Sequence, residues 1–198
     1  MERKTTYIDL CCGMGGFRVG INRYSDNFEC VLSADLKKDA VKTYNANFQE
    51  NMQPTDVTTL ENVPDYDLLC CGFPCQPFSS AGAKNGFNDK RGGIIFSIRD
   101  LCVKYKPKYF ILENVSNLMS LIDRATKRLC IDIIREMFEE LGYHVSAREL
   151  NSKNFGVPQS RKRVFIVGSL DHDIDLVPVM ENTHLRLTVI LNFNTKIT

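Results

Sequence analysis

Strand-length apolar runs alternate with segments of helical period along most of this chain, and no other feature restricts its fold as much. Residues 5–10 read as a strand, followed by a glycine-rich turn and a helix over 16–24. A second strand is expected over 30–34. The next helix is expected over 37–48, with Ala40, Val41, Tyr44 and Phe48 on one side. A strand over 68–71 leads into a polar, glycine-rich loop over 72–93. A helix over 94–105, a strand over 109–112 and a helix over 127–141 come next. In that last helix Ile131, Ile134, Phe138 and Leu141 recur at helical spacing, and Gly142 caps it. Strands over 144–150 and 164–167 close the pattern. Such alternation specifies an α/β fold, a doubly wound and mostly parallel sheet with helices on both faces. A chain of 198 residues holds one domain and at most an appendage. The domain is expected at 1–170. The tail over 171–198 contains Val177-Pro178-Val179-Met180 and further apolar residues over 185–193, but no motif.

The apolar run Asp67-Leu68-Leu69-Cys70-Cys71 ends in Gly72-Phe73-Pro74-Cys75-Gln76-Pro77-Phe78-Ser79. That order presents one thiol, Cys75, on a stiff loop at a strand's C-terminal edge, where open α/β sheets gather ligand and catalytic groups. A buried cysteine serving as a small hydrophobe would not need the flanking Pro, Gln and Ser.

Two further strand ends carry chemistry. Asp9-Leu10-Cys11-Cys12-Gly13-Met14-Gly15-Gly16-Phe17 joins the first strand to the first helix. Gly13, Gly15 and Gly16 let backbone pass close to a ligand, and the helix N-terminus favours an anionic group. Asp35 closes the second strand, where a carboxylate binds ribose hydroxyls or simply caps a helix. Asp56, before Val57, reads equally as a turn residue. Glu113 and Asn114 follow a buried strand, as a catalytic carboxylate and amide or as a helix cap. Beside Cys75 the catalytic reading gains, since a nucleophile and an acid can then act on one substrate. Arg161, Lys162 and Arg163 precede the last strand, and Lys84, Lys90 and Arg91 lie in the long loop; both groups suit phosphate contacts.

The bulk properties narrow the class. Net charge is +1, which neither demands nor forbids nucleic acid. The eight cysteines include no CxxC pair, so no zinc or other metal site is expected, and most are expected to be inert thiols. The apolar runs are too short to span a bilayer and no signal peptide is visible, which places the chain in the cytoplasm, or in a nucleus if eukaryotic.

Taken in order, the glycine turn, Pro-Cys-Gln-Pro-Phe-Ser, Glu-Asn-Val and Gln-x-Arg-x-Arg resemble the cytosine-5 DNA methyltransferases, over residues 5–168. The resemblance implies a sheet of the S-adenosylmethionine-dependent methyltransferase type, DNA as substrate and S-adenosyl-L-methionine as methyl donor. It implies that Cys75 attacks C6 of a flipped-out cytosine, with Gln76 and Ser79 in the same motif. Glu113 would hold N3 and the exocyclic amine, Arg163 the base O2, and Arg161 the active-site loop, which closes over the extruded base. The cofactor would meet Cys11, Gly13, Met14, Gly15, Gly16, Asp35, Leu36, Asp56, Val57, Pro74 and Ile94.

The sequence departs from the family in three places. Cys11 stands where Phe is common, and Asp35 where Glu is common. After Gly168 neither a target-recognition region nor the late Asn-containing cofactor motif is recognisable. Three readings follow: a catalytic half completed by a second chain, an inactive remnant, or a tRNA cytosine-5 methyltransferase.

Overall fold

The computed structural model describes residues 3–74, 93–123, 125–174 and 176. Its strands are β1 (Thr5–Leu10), β2 (Phe28–Ala34), β3 (Leu68–Cys71), β4 (Tyr109–Val115), β5 (His144–Asn151) and β6 (Lys162–Ser169). Its helices are α1 (Gly16–Tyr24), α2 (Lys38–Phe48), α3 (Ile94–Tyr105) and α4 (Cys130–Glu139). The strands form one sheet in the order β2-β1-β3-β4-β6-β5. β1 to β4 are parallel, whereas β6 runs antiparallel to both β4 and β5. The expected α/β sheet is therefore present, with one reversed strand.

Side-chain alternation assigns the two faces. Ile8, Leu10, Leu69, Cys71, Phe110, Leu112, Val164 and Ile166 point to the face covered by α3 and α4. Those helices bury Ile95, Ile98 and Cys102, and Cys130, Ile131, Ile134 and Phe138. On this side the Phe110 ring packs at 4.5 Å from Phe138 and 5.1 Å from Tyr143. It also crosses Gly168, where an added Cβ would lie 2.1 Å from it. Any larger residue at 168 collides with that ring.

The opposite face carries Tyr7, Leu68, Cys70, Tyr109, Ile111 and Val167, with Phe17 and Ile21 of α1 against them. α2 joins this side through Tyr44, whose hydroxyl lies 2.7 Å from that of Ser33 on β2. Arg18 on α1 ties the two helices: it donates to Tyr44 Oη at 3.2 Å and to Glu50 Oε1 at 2.7 Å, and stacks 4.7 Å from the Phe48 ring. Ile174 and Leu176 pack on the same face, and Arg148 Nη1 donates to the Leu176 carbonyl at 3.1 Å.

Several boundaries differ from expectation. β4 runs on through Glu113, Asn114 and Val115, which pair with Phe165, Val164 and Arg163 of β6. Glu113 and Asn114 are thus ladder residues and not a cap after the strand. Arg163 likewise lies within β6 and not before it. β2 begins at Phe28, and α4 starts at Cys130, directly after the Ile122–Leu129 bridge.

Candidate active site

The C-terminal ends of β1, β2, β3 and β4 meet at one edge of the sheet. The first crossover sets its shape. Gly13 and Gly15 adopt φ of 56° and 92°. Gly15 has a second reason to be glycine, since a Cβ there would lie 2.2 Å from the Phe48 ring. Gly13 and Gly16 have open space beside them. Asp35, buried at the end of β2, accepts from Gly13 N–H at 2.9 Å through one oxygen and from Lys37 N–H at 2.8 Å through the other. It fixes the glycine turn, and each oxygen retains acceptor capacity for a hydroxyl. Met14 and Leu36 stand 68% and 63% exposed, two apolar side chains at the ends of β1 and β2. Asp56 caps the 3₁₀ turn Val57–Thr59, accepting from Thr58 N–H and Oγ–H at 2.9 and 2.8 Å, while Val57 is buried. An acidic corner, an open glycine turn and two exposed apolar side chains are a set that fits the sugar and flat base of a nucleoside group.

The second half of the edge is built by β3, β4 and β6. Glu113 Oε1 accepts from Arg163 Nε at 2.7 Å, with both side chains about three-quarters buried. Oε2 of Glu113 lies 3.7 Å from where a Gly72 Cβ would stand, and the Cys11 carbonyl lies 3.5 Å from that point. Glycine at 72 keeps this corner open. Asn114 is 2% exposed; its Nδ2 donates to the Phe73 carbonyl at 2.9 Å and its Oδ1 accepts from Val115 N–H at 2.8 Å. Phe73 is therefore tethered to the strand bearing Glu113. Cys75, Gln76, Ser79, Lys84, Lys90 and Arg91 lie outside the described residues. Pro74 is exposed and Ile94 half-buried at the start of α3.

Arg161 and Arg163 both line a cavity of about 550 Å³ that is also lined by Glu113, Gly72 and residues of α1 and β6. Sequence periodicity left their faces unassigned. Asn114, read from the sequence as a catalytic amide or a cap, is a tether here; two contributors to this region were not singled out from the sequence, Arg18 as the strut between helices and Asp9. Asp9 is fully buried on β1, neither of its oxygens has a hydrogen-bond partner among the described residues, and burial pushes its pKa up to about 8. A single acid in an apolar strand was the available signal.

Among the described residues the other cysteines are core or half-core thiols. Burial raises the pKa of Cys12, Cys70 and Cys71, and that of Cys102 to about 12, which keeps them protonated and unreactive. No group of three or more His, Cys, Asp or Glu able to hold a metal occurs among the described residues, nor any helix long and apolar enough to cross a membrane.

An α/β sheet with a glycine turn, an acid after β2 and a carboxylate–arginine pair at one edge defines the methyltransferase class of fold. Solved structures agree. The Dnmt2 methyltransferase of S. pombe superposes with a TM-score of 0.71 over 87% of this chain and 53% of that one, at 22% identity. At that identity the likeness shows the fold. The sequence match goes further: the C-5 cytosine-specific DNA methylase family model matches residues 5–191, and the chain belongs to that family. The match continues past Gly168, where the motif-based resemblance stopped. The type II methyltransferase M.NlaX of Neisseria lactamica is 41% identical over 85% of this chain and 53% of its own length. M.BanI of Aneurinibacillus aneurinilyticus is 43% identical over 84% of this chain and 39% of its own length. The chain thus spans about half, or less, of these relatives.

Proposed function

We propose that this chain carries the catalytic portion of a DNA (cytosine-5)-methyltransferase. The observation that carries this reading is the Glu113–Arg163 pair, held beside Gly72 where the chain leads into Cys75. The thiolate of Cys75 adds to C6 of an extruded cytosine, which makes C5 a carbon nucleophile. Glu113 holds the N3 side of the ring and places a proton there, so that charge does not build up as the adduct forms. Arg163 fixes the Glu113 carboxylate and contacts the base O2, and Arg161 supports the loop that bears Cys75, Gln76 and Ser79. When bound, S-adenosyl-L-methionine supplies the electrophilic methyl group that C5 takes. The C5 proton then passes to water, the C6–S bond breaks to release the Cys75 thiolate, and the N3 proton returns to Glu113, which restores the enzyme. Gly13, Gly15, Gly16, Asp35, Leu36 and Met14 hold the cofactor, with Cys11, Asp56, Val57, Pro74 and Ile94 around them.

The test is transfer of labelled methyl from the cofactor to cytosine-containing DNA, with and without the C-terminal portion of the Neisseria lactamica relative as a separate polypeptide. Cys75→Ser is expected to abolish transfer while the circular dichroism spectrum stays unchanged. A hydroxyl at neutral pH is a far poorer nucleophile than an ionisable thiol. Transfer that persists in Cys75→Ser would overturn the covalent mechanism.

A further inference from the structure

Residues 152–161 link β5 to β6, a longer connection than the tight turns that most often join antiparallel neighbours. Such a loop carries backbone N–H and C=O groups that no ladder satisfies. Two side chains at its entrance supply partners. Asn151, 8% exposed at the end of β5, accepts through Oδ1 from Lys153 N–H at 3.3 Å and from Arg161 N–H at 3.1 Å. Its Nδ2 donates to Ser160 Oγ at 3.2 Å. Ser152 Oγ donates to the Gln159 carbonyl and accepts from the same Arg161 N–H at 3.2 Å, while Ser152 N–H donates to the Arg161 carbonyl at 3.0 Å. Gly156, at φ of 75°, ends the 3₁₀ turn Ser152–Phe155 and turns the chain back. The loop therefore closes on the backbone of Arg161.

The hydrogen bonds that Arg161 makes among the described residues all run through that backbone. Arg161 lines the cavity with Ser152, Phe155 and Val157 of its own loop, alongside Glu113 and Arg163. Arg163 is committed to Glu113, so Arg161 brings a positive charge to this wall that is still available to an anionic substrate group. We infer that Asn151 is a positioning residue, which sets where the Arg161 guanidinium stands in the candidate active site by holding the Arg161 backbone. The inference rests on the proposed function only in taking this wall as part of an active site. A misplacement of about 1 Å in a substrate-positioning group can cost about a hundredfold in rate.

Amide hydrogen exchange on the full chain reads the hold directly. Asn151→Ala is expected to speed exchange at Lys153 and Arg161 by roughly tenfold or more, with Ile166 and Val167 of β6 unchanged. Asn151→Asp keeps both acceptor contacts and should restore the protection. The Arg161 Nε–H resonance, assigned by its loss in Arg161→Ala, should move in Asn151→Ala. Exchange at Arg161 that Asn151→Ala leaves unchanged, or a resonance that stays in place, overturns the inference. Should Asn151→Ala not fold, Asn151→Ser takes its place: a serine hydroxyl can still serve the local Lys153 N–H but is too short for Arg161, so only Arg161 should lose protection. In methyl transfer to cytosine-containing DNA, Asn151→Ala should lower kcat/KM about tenfold in the wild-type background and less than about twofold in Arg161→Ala, because residues that act as one unit are not additive. Equal losses in both backgrounds would mean a general structural role and overturn the inference as well. Absence of transfer by the wild-type chain would sink the functional reading alone, since exchange and the resonance decide this one without activity.

Discussion

At the residue scale, Asp9 and Gly168 show opposite tolerances. Asp9 is a buried acid whose pKa is raised by desolvation from the ordinary 3.8 to about 8, with the Arg18 charge opposing and Asp35 adding to the rise. A pKa higher in the folded than in the unfolded state means that the folded state holds the extra proton. The contribution of Asp9 to stability is then complete below about pH 4 and is lost progressively as pH rises to 8. Asp9→Asn copies the neutral carboxyl in shape and cannot ionise. It should be more stable than wild type at pH 8, and the gap should close towards pH 4, as read from urea midpoints across that range. A gap that widens on acidification would mean that Asp9 is ionised in the fold. Gly168 has no such freedom, because its neighbour is a ring held by two others. Gly168→Ala should cost about 1–3 kcal/mol through overpacking, measured by urea unfolding. Phe110→Leu in the same chain should recover part of the loss; no recovery would show that the strain lies elsewhere.

At the scale of elements, β4 is the one whose end decides the chemistry. Asn114 ties it to the segment approaching Cys75. Asn114→Ala leaves the Phe73 carbonyl without its partner, a loss of about 1–3 kcal/mol for a buried group. Methyl transfer should fall by more than that stability loss accounts for, because the nucleophile's segment loses its anchor. Asn114→Asp, which keeps the Val115 contact but cannot donate when ionised, should share the activity defect; full activity in both variants would remove the tether from the account. The core face of α4 was legible from periodicity, since Ile131, Ile134 and Phe138 all lie in the core where helical spacing put them. The end of β4 was not, because Glu and Asn are poor strand formers and only pairing with β6 makes them strand. Nor could local pattern give the direction of β6, which depends on a partner far away in sequence. The glycine turn, Asp35 and Glu113 were legible as an edge because each follows an apolar run. The Glu113–Arg163 pair was not, since it exists only once β4 and β6 are in register.

At the scale of the molecule, charge governs what the chain can hold. Net charge is +1, and of the basic residues near the described cleft Arg163 is committed to Glu113 and Lys162 to Glu149 at 2.9 Å. Lys153 and Arg161 are the candidates left for phosphates. Each phosphate contact steepens the logarithmic salt dependence of duplex binding by about 0.9. Lys153→Ala and Arg161→Ala should each flatten it by about that amount, with no change in discrimination between duplex sequences, as read by titrating labelled duplexes over a range of salt. An unchanged slope in both variants would place the DNA elsewhere. The reversed strand also fixes an order of events. β6 sits between β4 and β5, so the acid on residue 113 and the guanidinium on residue 163 meet only when β6 has paired with β4. Closing contacts that distant in sequence is slow compared with forming a hairpin. On the ribosome Gly13, Asp35 and Asp56 emerge well before the acid–guanidinium pair, which waits for β6. The chain is therefore made in a sequence that assembles the chemistry last, after the scaffold that must restrain it.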